Sequence, residues 1–154
     1  MMSRVQKGLV AGLAATVAVS VLEAVNILAL KWFAPFPLIL AKLVGVPGNL
    51  AVGWVLHAIA GIFILGPLFG ILCPRLPTDT PETKGIVFAV GAFVVLMVGL
   101  VLFGGGDVFG RNFGTIGWLV ATHAVFGIVL GNVYARMVAR DRRAVAPPGA
   151  APAH

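Results

Sequence analysis

Four long apolar runs, Gly8–Leu30, Leu50–Cys73, Gly85–Phe103 and Ile116–Val138, leave this chain few folds to choose from. Each can cross a hydrocarbon core of about 30 Å at about 1.5 Å of rise per residue. Composition agrees: of 154 residues 60% are apolar and 10% charged, against about 45–50% and about 25% in soluble domains. The pattern predicts an all-α integral membrane protein, a four-helix bundle of two tandem transmembrane hairpins forming one domain over residues 1–138. Residues 139–154, which include a run of Pro, Ala and Gly with nothing to bury, are expected to form a disordered cytoplasmic tail. Arg4 and Lys7 ahead of the first run would also suit a secretory signal, but the run is long for that role and Ser20 is a weak cleavage context.

The formal charge of +6 points to topology, with no nucleic acid implied, because the basic residues form no continuous stripe. Arg4, Lys7, Arg75, Lys84, Arg136, Arg140, Arg142 and Arg143, eight in all, fall on one side, and Lys31, Lys42 and Arg111, three in all, on the other. That bias places both termini in the cytoplasm of a bacterium, with the chain in its inner membrane. Trp32, Trp54 and Trp118 sit near the opposite boundary, where amphipathic rings settle. Between the first two runs, residues 31–48 are too apolar for a solvated loop and too rich in proline to span. They read as a short helix along the outer interface, with a re-entrant segment as the rival. The outer loop Gly104–Gly114 lacks the Gly-Lys-Ser/Thr ending of a phosphate loop. Cys73, the single cysteine, has no partner for a disulfide or a zinc ribbon.

The chain reads as a duplicated hairpin. "KGLV" at Lys7–Val10 returns as "KGIV" at Lys84–Val87, and "HAIAGI" at His57–Ile62 returns as "HAVFGI" at His123–Ile128. The second and fourth helices then run parallel, with both histidines about 12 Å from the outer end. Gly53, His57 and Gly61 are four apart, as are His123, Gly127 and Gly131, so each histidine shares a face with small residues that mark helix contacts. Glu23 lies about 10 Å deep in the first helix, while its counterpart 77 residues later is Leu100.

An ionisable group in hydrocarbon is expensive enough to count as a functional candidate. In the structural reading, Glu23, a histidine, Ser20, Asn26 and Thr122 form a buried polar network that fixes helix register. In the redox reading His57 and His123 are axial ligands of a haem b, in the arrangement membrane b-type cytochromes use, with Gly61 and Gly127 leaving room for the macrocycle. A transition metal held by His57, His123 and Glu23 is the variant. Proton or solute movement is disfavoured, because the third run carries no polar side chain. The expected function is a non-enzymatic accessory or scaffold subunit, packed against a larger membrane complex or its own copies. A haem- or metal-binding electron carrier is the alternative.

"GWVLHAIAG" (Gly53–Gly61) and "GWLVATHAVFG" (Gly117–Gly127) each place a His and a Gly after Gly-Trp. In this the chain resembles a group of small bacterial four-helix inner-membrane proteins that form a domain-of-unknown-function family. The resemblance covers the four spans and implies no activity.

Overall fold

Six α-helices carry most of the described residues, 1–102 and 112–145 of a computed structural model. Four helical runs are long and apolar enough to cross a membrane: Arg4–Leu30, Leu50–Arg75, Pro81–Leu102 and Phe113–Ala144. They begin at polar caps, ahead of three of the four apolar runs. Helix α1 (Arg4–Val25) opens on a capping box, in which Ser3 Oγ accepts from Gln6 N at 3.1 Å and Gln6 Oε1 accepts from Ser3 N at 2.8 Å. Asn49 Oδ1 accepts from Val52 N at 3.1 Å above α3 (Leu50–Ala58). Thr80 Oγ1 accepts from Thr83 N ahead of α5 (Pro81–Leu102), whose first residue is a proline with no N–H to orphan. Asn112 Oδ1 accepts from Gly114 N and Thr115 N to start α6 (Phe113–Val145).

The far end of α6 corrects one expectation. Residues 139–145, assigned from composition to a disordered tail, continue the helix. Asp141 meets Lys7 Nζ at 2.7 Å, and Arg142 and Arg143 lie where the helix dipole favours cations. The remainder of the tail and most of the glycine-rich loop, 146–154 and 103–111, lie outside the described residues.

The second span is three pieces in line: α3, a wide turn over Ile59–Leu65, and α4 (Gly66–Leu72). Pro67 causes the interruption. It lacks an N–H, and its ring would collide with the carbonyl four residues back in a regular helix. The preceding turn widens to five-residue spacing, so that Gly66 N donates to Gly61 O.

Glycines set how the helices approach. α1 packs between α6 and the second span, and α5 packs along α6. A Cβ at Gly8 would overlap the Gly66 carbonyl, one at Gly70 the Arg4 carbonyl, and one at Gly85 the Gly127 carbonyl. Backbone contact of this kind drives association where hydrophobic burial between helices gains little. α5 and the second span meet through the Phe69 and Phe88 rings, 5.3 Å apart near the end that holds Lys7 and Asp141. Elsewhere those two spans make little contact.

Residues 31–48 do not lie flat against the outer end. After the wide turn Asn26–Leu30, Lys31 takes a left-handed conformation (φ 54) and reverses the chain. The backbone runs back beside α1 to the level of Glu23, then α2 (Phe36–Leu43) climbs out again against α3. Gly53 lies against the Pro37 main chain, and Gly45 and Gly48, with φ +81 and +84, turn the chain into α3. The segment thus folds back among the helices before it enters α3. The physical reason is that its irregular backbone finds hydrogen-bond partners inside the molecule.

Candidate functional site: a histidine-lined cleft

Those partners are the buried polar residues of α1 and α6. Asn26 Oδ1 accepts from Phe33 N at 3.2 Å, and its Nδ2 donates to Phe33 O at 3.1 Å. Thr115 Oγ1 accepts from Ala34 N at 3.3 Å. Glu23, with no exposed surface, accepts three hydrogen bonds: from Phe36 N at 3.1 Å, Asn26 Nδ2 at 3.3 Å and Trp118 Nε1 at 2.9 Å. Its carboxyl group therefore sits at the N-terminus of α2, where an orphan N–H and the helix dipole both favour negative charge. Trp118 in turn stacks on Phe33, rings 5.0 Å apart and 11° from parallel.

His57 and His123 face a separate feature, a cleft of ≈ 290 Å³. Its walls come from the second span and α2 on one side and from α5 and α6 on the other, with Val19 of α1 also lining it, and Glu23 is not among them. Three polar side chains line it: His57, His123 and Thr122. No charged side chain does. Thr122 Oγ1 already donates to Leu119 O at 3.0 Å. The cleft opens sideways between the second and third spans, where Ile64 and Leu96 are 55% and 43% exposed. Outside the cleft Phe69, fully buried, packs on Phe88 and Tyr134, and the tyrosine hydroxyl donates to Gly70 O at 3.3 Å.

Each imidazole is held by aromatic neighbours. His57 lies 4.6 Å from the Phe36 ring and 5.8 Å from Trp54, beside the Thr16 main chain, and its buried Nε2 has no hydrogen-bond partner. His123 lies 4.7 Å from Phe93, with Nδ1 2.7 Å from Leu119 O. A carbonyl oxygen can only accept, so Nδ1 carries the proton and Nε2 keeps its lone pair. The glycines a turn away serve helix contact. Gly61 meets the Thr16 side chain while its edge lines the cleft, and Gly127 meets the Gly85 main chain and lies outside the cleft.

The two histidines thus share a cavity while Glu23 is occupied elsewhere. Among the described residues no three His, Cys, Asp or Glu side chains are grouped to hold a metal ion. Sequence reasoning passed over Thr115, Phe36 and Phe93, and gave Trp118 an interfacial place without its partner Glu23. A signal existed for Phe36: Pro35-Phe36-Pro37 marks a helix start in an apolar stretch, whose free N–H requires an acceptor from another element.

The fold and cleft define a class: an all-helical protein among the described residues, with four apolar helices long enough to cross a membrane and an uncharged cavity to which all four contribute. A family model described as "Family of unknown function (DUF6789)" matches residues 2–145, and the chain belongs to that family. No curated protein and no solved structure matches the chain.

Proposed function

We propose that this is a multi-pass protein of the bacterial inner membrane, non-enzymatic, whose accessory role is to hold a small lipid-soluble molecule in the histidine cleft. The observation that carries the reading is the convergence of His57 and His123, from separate hairpins, on one uncharged cavity open at its side. The excess of Lys and Arg on the side of the termini supports a cytoplasmic location for both ends. Val95, Val98, Val101 and Leu102 of α5 are all more than half exposed, which suits contact with lipid, a larger membrane complex or a second copy. The motif repeats support duplication of a hairpin, with Glu23 and the re-entrant segment belonging to the first copy alone.

Extraction and mass spectrometry of the protein purified in native lipid tests the reading. A small molecule should accompany the wild type and be depleted from Ala92→Trp, which fills the cleft from α5. Equal recovery from both, or none from either, overturns it. Haem b is the second reading, favoured by the His123 tautomer, since a main-chain carbonyl on Nδ1 leaves Nε2 free to ligate. Against it, the cleft offers no cation for the propionates. A Soret band in the oxidised and reduced visible spectra decides for haem, and its absence decides against.

A further inference from the structure

We infer that the molecule held in the cleft is a neutral quinol with an apolar tail, its ring among the aromatic side chains and one hydroxyl donated to His123 Nε2. The inference rests on the cleft being a binding site and goes on to name the ligand's chemistry. Four observations narrow it. The walls carry no charge, so a carboxylate or a phosphate headgroup would enter unpaired, at a cost a neutral ligand avoids. His123 Nδ1 is committed to Leu119 O, so Nε2 is an acceptor and selects a ligand that donates.

His57 Nε2 is buried without a partner. A second hydroxyl on the same ring satisfies it in either tautomer, because a hydroxyl both donates and accepts. The imidazoles are backed by Phe36 at 4.6 Å and Phe93 at 4.7 Å, and Phe126 and the small Ala60, Gly61 and Ala92 share the lining. Aromatic walls of this kind favour a flat ring. The volume, ≈ 290 Å³, lies at the small end of ligand pockets, which run from about 300 to 1,000 Å³. A tail leaves between Ile64 and Leu96 into the surroundings of the helices.

The test is equilibrium binding of radiolabelled decyl-hydroquinone, kept reduced under argon, to the protein in phosphatidylcholine nanodiscs, with empty nanodiscs as background. The wild type should bind it saturably and prefer it to its dimethyl ether by roughly tenfold, the scale of one buried hydrogen bond. His123→Leu should cut that preference severalfold, leaving what the second hydroxyl gains at His57, and 1-dodecanol should compete poorly. Equal affinity for hydroquinone and ether in the wild type overturns the hydroxyl assignment, and equal competition by dodecanol overturns the ring. In either case loss of binding in Ala92→Trp leaves the cleft as a binding site for another ligand. No saturable binding by any probe, or none sensitive to Ala92→Trp, removes the quinol and the cleft reading together.

Discussion

Glu23 gives two oxygens to an indole N–H, a side-chain amide and the first N–H of α2, and the indole and the α2 N–H have no other acceptor. A carboxamide there has one acceptor where the carboxyl group has two, so Glu23→Gln strands Trp118 or Phe36. Stranding a buried donor costs about 1–3 kcal/mol. We expect that loss in reversible unfolding of the purified protein in mixed micelles, and an unchanged midpoint refutes the capping role. His123→Phe should cost less than about 1 kcal/mol in the same assay, because Nδ1 serves only a carbonyl of its own helix. The depth of Glu23 was legible in the sequence, and so was its rank as a group needing partners. Its attachment to main chain 13 residues on and to an indole 95 residues on was not, because hydropathy patterns carry no information about which distant backbone stays irregular.

At the scale of elements, one residue type on one helix has two opposite roles. Gly85 lies against the Gly127 main chain, whereas a Cβ at Gly91 would meet nothing within 4 Å. Gly85→Ala must force α5 away from α6, an overpacking cost of about 1–3 kcal/mol. Gly91→Ala should stabilise by up to about 1 kcal/mol, from helix propensity alone. Side-by-side unfolding of the two variants checks this, and equal effects would show that α5 and α6 do not touch through Gly85. Fourfold spacing made these faces readable, since i and i+4 share a side of any helix. It did not say what each face meets: Gly61 meets α1, and Gly127 meets α5. The wide turn in the second span had its own mark in Pro67, a proline inside an apolar run. The apolar runs themselves were plain because nothing else in a chain of this size requires so many consecutive apolar residues.

For the whole molecule, only 22–33% of each span's most apolar stretch is buried within the protein, so most of that surface faces outward. If the surroundings are a bilayer with both termini inside, a maleimide reagent added to intact cells should label Val46→Cys but spare Asp79→Cys until the membrane is opened, in a Cys73→Ala background. Labelling of Asp79→Cys in intact cells reverses the orientation. The folded-back segment carries a consequence for synthesis. One of its acceptors, Thr115 on α6, lies 81 residues downstream of the Ala34 N–H it serves, and Trp118, which donates to Glu23, comes 95 residues after that carboxyl group. A ribosome delivers the loop long before it delivers the clasp. Until the fourth helix is made, Ala34 N and Glu23 Oε2 lack these partners, and a chain stalled before it is a natural substrate for quality-control proteolysis.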